Sequence, residues 1–213
     1  MFLKICGITR LADALHAAEQ GATALGFLLW RGSPRYVTPE QVGEIVAELP
    51  PGVQAVGVFV NEPVKEIQRI ARIARITAVQ LHGDETPDHA AAIALPILRA
   101  VSIEMAAKEA RAWPAETLLL LDAVDPDLRG GTGMRIDWTR AAERARASRI
   151  VLAGGLTPDN VEGAISIVQP FGVDVSSGVE SAPGVKDSTK VARFLQNARA
   201  AFDRTHVATD RRG

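Results

Sequence analysis

Short, continuously apolar segments alternate with amphipathic ones eight times along this chain, and few architectures tolerate that rhythm. Apolar strands are predicted over residues 2–6, 23–29, 53–60, 76–81, 96–101, 117–122, 149–153 and 171–175. Between them apolar side chains recur at helical spacing, as at Leu11, Ala14, Leu15 and Ala18, or at Val42, Ile45, Val46 and Leu49. Helix starts are read at Thr9, at Thr38-Pro39 with Gln41 completing a capping box, at Asn61, Thr86-Pro87, Asp137, Thr157-Pro158 and Asp187. Strand follows helix throughout with no hairpin signal, which implies a parallel sheet covered by helices. Eight such units in 213 residues fit an α/β chain folded as a single (β/α)8 TIM barrel over residues 1–204. An open doubly wound sheet fits the same alternation. The last helix carries the stripe Val191, Phe194, Leu195 and Ala198, and residues 205–213 lack periodicity, so a frayed tail is expected there.

Composition removes several classes of function. Lys and Arg number 24 against 25 Asp and Glu, a formal charge of -1, which offers neither nucleic acid nor a membrane surface a basic face. The longest apolar runs, such as residues 118–121, are far too short to cross a bilayer, and residues 1–9 carry no secretory pattern, so a cytoplasmic location is expected. The single cysteine, Cys6, excludes an internal disulfide framework and a cysteine-built metal cluster. The four histidines show no pair at i, i+4 spacing, and no metal is expected.

In a parallel barrel, groups with chemical roles sit at the C-terminal ends of strands and in the loops beyond. Strands seven and eight both stop in small residues: Gly154-Gly155 in V-L-A-G-G-L-T-P-D-N, and Ser176, Ser177 and Gly178 in G-V-D-V-S-S-G-V-E. Backbone N–H groups left unobstructed there suit an anion, and two such ends side by side suit one phosphate. Ordinary Ser/Gly turns are the plain alternative. Cys6 ends strand one, where it is either an inert buried thiol or a base facing the barrel mouth. Asp122 ends L-L-L-L-D and must face the mouth or be paired. Arg35, in S-P-R-Y-V, either clamps a planar carboxylate or makes a surface ion pair. His82, in V-Q-L-H-G-D-E, sits at a strand end, where it either binds ligand or satisfies a backbone carbonyl, and the sequence favours neither. The R-G-G-T-G run at residues 129–133 lacks Walker spacing and reads as a cover over the site.

The segments K-I-C-G-I-T (4–9), S-P-R-Y-V (33–37), V-G-V-F-V (56–60), V-Q-L-H-G-D-E (79–85), G-G-T-G (130–133), L-A-G-G-L-T-P-D-N-V (152–161), D-V-S-S-G-V-E (174–180) and P-G-V-K-D (183–187) together resemble the phosphoribosylanthranilate isomerases. They span nearly the whole chain in the family's order. The resemblance implies a (β/α)8 barrel that converts N-(5-phospho-β-D-ribosyl)anthranilate to 1-(2-carboxyphenylamino)-1-deoxy-D-ribulose 5-phosphate. That is a cofactor-free Amadori rearrangement, the third step of tryptophan synthesis from chorismate. It further implies Cys6 as general base, Asp122 as general acid and Arg35 on the anthranilate carboxylate. Gly154, Gly155, Asp174, Ser176, Ser177 and Gly178 would bind the rest of the substrate, the phosphate included. The expected partner is a small phosphosugar, with the protein a monomer or homodimer. One departure is L-W-R-G at residues 29–32, where relatives often carry an aromatic, Pro and Lys ahead of the Ser-Pro-Arg.

The residue types agree with that chemistry: an acid must protonate the ribose ring oxygen, and a base must then take the proton from the neighbouring carbon. Two other classes share the barrel. Another phosphosugar enzyme, such as an indole-forming synthase or a metal-dependent epimerase, is opposed by the scarcity of lysine and histidine at strand ends. A non-catalytic phosphosugar binder needs neither Cys6 nor Asp122.

Overall fold

The computed structural model describes residues 1–122 and 136–210, with side chains to Thr205. Eight strands pair in parallel in chain order: β1 (Phe2–Cys6), β2 (Ala24–Leu28), β3 (Gln54–Phe59), β4 (Ala78–Leu81), β5 (Ile97–Val101), β6 (Leu118–Leu121), β7 (Ile150–Leu152) and β8 (Gly172–Val175). β8 then pairs with β1, Lys4 opposite Asp174, so the sheet closes on itself and the doubly wound alternative falls away. The covering helices are α1 (Leu11–Glu19), α2 (Pro39–Ala47), α3 (Val64–Ala74), α4 (Pro87–Ala91), α5 (Ala106–Ala112), α6 (Trp138–Ala147), α7 (Val161–Val168) and α8 (Ser188–Asp210).

Strand alternation divides the apolar residues between two cores. One set, including Leu3, Ile5, Leu25, Phe27, Phe59 and Leu81, faces the helices and packs with Ile67, Phe194 and Leu195. The other fills the barrel with Phe2, Ala24, Val56, Ala78, Leu98, Ala100, Leu120, Val151 and Ala153. Burial on both faces is why the strands read as continuous apolar runs. Above the interior layers the lining turns polar. Lys4, Gln80 and Asp174 are 0%, 2% and 7% exposed, and they floor the C-terminal mouth.

Several starts agree with the sequence. Thr38 and Gln41 exchange both capping-box bonds, Asp137 accepts from the N–H of Thr139 and Arg140, and Asp187 accepts from that of Lys190. Thr9 does not cap α1: its hydroxyl donates to the Gly184 carbonyl in the segment that follows the neighbouring strand β8, and the N-cap position is Arg10. α3 begins at Val64, beyond Asn61, whose positive φ of 54° stops helical continuation back to it. Thr157 likewise lies outside α7, in a turn where its N–H donates to Asn160.

A hairpin, unexpected from the sequence, follows β8. A single 3₁₀ turn (Ser177–Val179) leads into β9 (Glu180–Ala182), which pairs antiparallel with β10 (Val185–Lys186). Its signal was Pro183-Gly184, with Gly184 at φ 78°. α8 continues as helix through residues 205–210, past the end of its apolar stripe. The run at residues 129–133 lies outside the described residues. No described helix is long and apolar enough to cross a membrane.

Candidate active site

Five loops at the C-terminal ends of the strands supply the groups at the barrel mouth. A cavity there is lined by Asp122, Gly154, Gly155, Asp174, Ser176, Ser177 and Gly178 among others. The ends of β6, β7 and β8 therefore meet in one place, as their sequence position requires. Gly154 and Gly155 adopt φ of 77° and 65°, a left-handed pair that turns successive N–H groups toward one side. Among the described residues neither N–H has an intramolecular acceptor. Opposite them a Cβ on Gly178 would lie 1.9 Å from the Leu156 carbonyl oxygen, so only glycine lets the two loops approach this closely. Asn160 stiffens the β7 loop by accepting from Thr157 N–H at 2.8 Å and donating to the Gly155 carbonyl at 2.9 Å. The nest is thus made by loop backbone; α7 starts only at Val161.

Cys6 ends β1 with its thiol buried above the polar floor, and its Cα register partner is Gly26. A Cβ on Gly26 would meet Cys6 Sγ at 2.6 Å and Lys4 Cε at 3.0 Å, so that glycine makes room for both side chains. Lys4 Nζ donates to Asp174 Oδ2 at 3.0 Å and Gln80 Oε1 at 2.9 Å. Burial alone would push the Lys4 ammonium down, but Asp174 and Cys6 outweigh it and raise its pKa. Burial pushes the Cys6 thiol up, and the Lys4 and Lys186 ammoniums oppose that shift without cancelling it. Asp174 Oδ1 is buried and accepts no hydrogen bond among the described residues, although it borders the cavity. A buried acceptor left without a donor costs about 1–3 kcal/mol, an incentive to take one from a ligand.

Arg35 reaches the mouth from the loop after β2, and its fork already holds a carboxylate, that of Glu180 on β9. Nε meets Oε1 at 2.8 Å and Nη2 meets Oε2 at 2.7 Å. Lys186 on β10 donates to Glu180 Oε1 at 2.8 Å and to the Ser176 carbonyl at 3.2 Å. Burial pushes Glu180 up, but the bonds from Arg35 and Lys186 win and hold it below the usual carboxylate range. Burial pushes Lys186 down, and the pair with Glu180 offsets only part of that. A guanidinium has five N–H donors, so the Glu180 pair leaves three for another carboxylate.

The structure thus gathers Cys6, Asp122, Arg35, Asp174 and the two small-residue loops at one end of the barrel. It adds four groups that the strand-end reading passed over: Lys4, Gln80, Glu180 and Lys186. Lys4 and Gln80 interrupt apolar strands with long polar side chains, which was itself a signal of an inward polar layer. Glu180 and Lys186 lie in the quoted motifs, but their meeting depends on the hairpin.

The family model for N-(5'-phosphoribosyl)anthranilate isomerase matches residues 3–197. The N-(5'-phosphoribosyl)anthranilate isomerase of Trichlorobacter lovleyi is 50% identical over 202 residues, 94% of this chain and 98% of that protein. Among solved structures, phosphoribosyl anthranilate isomerase from Thermotoga maritima superposes with a TM-score of 0.86 at 41% identity, covering 94% of this chain and 99% of its own. A phosphoribosyl anthranilate isomerase complexed with reduced 1-(o-carboxyphenylamino)-1-deoxyribulose 5-phosphate gives 0.82 at 40% identity, with 94% and 99% covered. A match that spans both the fold and the mouth residues leaves one assignment: the chain belongs to the N-(5'-phosphoribosyl)anthranilate isomerase family.

Proposed function

We propose that Cys6 and Asp122 carry out, as base and acid, the isomerisation of N-(5'-phosphoribosyl)anthranilate to 1-(2-carboxyphenylamino)-1-deoxyribulose 5-phosphate in the cytoplasm, without a cofactor. The observation that carries this reading is the shared cavity, which the Asp122 and Asp174 carboxyl groups line together with the small-residue loops after β7 and β8. Asp122 protonates the ring oxygen, the bond from that oxygen to C1 breaks, and the anilino nitrogen's lone pair forms the open-chain Schiff base. Cys6 thiolate then takes the proton from C2, and the resulting enolamine rearranges to the ketose. Lys4 and Lys186 favour the thiolate form. The orphaned Asp174 Oδ1 accepts from a sugar hydroxyl. Holding the substrate at both ends fixes the ribose between acid and base, and such positioning supplies much of a rate enhancement.

The N–H groups of Gly154, Gly155, Ser177 and Gly178 hold the phosphate. Titration with inorganic phosphate, followed by amide NMR, is expected to shift Gly155 and Ser177 first. Shifts centred on residues 130–133 would reject the assignment. The three remaining Arg35 donors hold the anthranilate carboxylate. Arg35→Lys keeps the charge but loses the fork. Because charge-assisted hydrogen bonds contribute about 1.5–3 kcal/mol, KM should rise roughly tenfold or more while kcat changes little. An unchanged KM counts against the contact. Turnover of the substrate in a fluorescence assay tests the activity directly, and light scattering distinguishes monomer from homodimer.

A further inference from the structure

His82 shares the inward face of its strand with Gln80, two residues before it, as the period of a strand requires. Its ring orientation can be read from donors and acceptors alone. An ammonium only donates, so the Gln80 oxygen must be the atom that faces Lys4 Nζ, at 2.9 Å. The Gln80 amide nitrogen then faces the other way, 3.0 Å from His82 Nδ1. That nitrogen also only donates, so Nδ1 accepts and carries no proton. The proton of the neutral ring therefore sits on Nε2, which lies 3.6 Å from Asp122 Oδ2. The backbone is held as well. His82 N–H donates to the Phe59 carbonyl at 2.9 Å, Gly83 N–H to Glu85 Oε2 at 2.8 Å, and Arg99 pairs with that same oxygen at 3.0 Å.

We infer that His82 is a positioning residue for Asp122, set in its Nε2–H tautomer by the chain Lys4–Gln80–His82. It presents a donor to Oδ2, which leaves Oδ1 as the oxygen bearing the transferable proton. When the Oδ1–H bond breaks and that proton passes to the ribose ring oxygen, Nε2–H stabilises the carboxylate left behind. At 3.6 Å the contact is longer than a formed hydrogen bond, and such contacts tighten in the substrate complex. The role rests on the assignment of Asp122 as the acid.

The test uses the full ¹⁵N-labelled protein, with His82→Gln serving to identify the His82 signals. Long-range ¹H–¹⁵N correlation is expected to show Nε2 protonated and Nδ1 bare at a pH where the ring is neutral. Gln80→Glu sets an acceptor against Nδ1 and should move the proton onto that nitrogen. A native ring protonated on Nδ1 overturns the inference. In kinetics, His82→Leu should lower kcat about tenfold with KM within about twofold, and His82→Gln, whose amide can place N–H near the former Nε2, should recover most of the loss. A raised KM at unchanged kcat would make His82 a substrate ligand and overturn the positioning role. Full kcat in Asp122→Asn would remove the acid assignment and this role with it, yet leave the tautomer as observed, so the two failures are told apart.

Discussion

Asp122→Asn is expected to lower kcat by about 100-fold or more with KM nearly unchanged, the range typical of a lost general acid. Asparagine preserves the shape at the end of β6 and leaves the cavity floor intact, but it has no proton to give the ring oxygen. The step that suffers is opening of the ribofuranose, so a substrate analogue already in the open-chain form should bypass most of the loss. If the variant retained native kcat, ring opening would draw its proton from another source. A raised KM with native kcat would instead make Asp122 a binding group.

Cys6→Ser should be as damaging, because a serine hydroxyl without an activating partner is far too weak a base near neutral pH. The pH profile adds a signature whose sign follows from the burial of Cys6. The base works only when deprotonated and the acid only when protonated, so kcat/KM should climb as Cys6 ionises, with burial setting that limb above the ordinary thiol range, and fall as Asp122 loses its proton. Lys186→Met removes one of the two ammoniums that favour the thiolate and should move that climb further to the alkaline side. A profile that is flat across this region, or native activity after complete alkylation of the single cysteine, would transfer the role of base to another residue.

The barrel was legible because burial on both faces leaves its mark on every strand: the eight predicted apolar runs each contain one observed strand, and residues 2–6 coincide with β1. That the candidate residues at strand ends would gather in one place was legible for a related reason, since parallel topology makes "end of strand" a place in space. Position in the sequence does not carry side-chain partnership. Arg35 reads as a carboxylate clamp or a surface ion pair with no named partner until the hairpin brings Glu180 to it from 145 residues away. Lys4 and Gln80 look like blemishes in apolar strands until Asp174 closes the circle beside β1. The helix starts at Thr9, Asn61 and Thr157 failed because each residue's polar side chain or backbone serves a loop contact instead, a choice that local propensity does not decide.

The hairpin and β8 also set a condition on folding order. Lys4 and Arg35 belong to the first units of the barrel, whereas their counter-charges, Asp174 and Glu180, lie 170 and 145 residues downstream. A nascent chain that has not yet delivered residues 172–186 has no counter-charge to bury with Lys4, and stranding a charge in this way costs about 3–5 kcal/mol. The early strands therefore gain little from closing in advance. Closure of the barrel, the burial of Lys4 and the loop after β8 become available together, once residues 172–186 have been made. A partly closed barrel, with the Cys6 thiol and an open sheet edge exposed, is disfavoured by the same ion pairs that later line the barrel mouth.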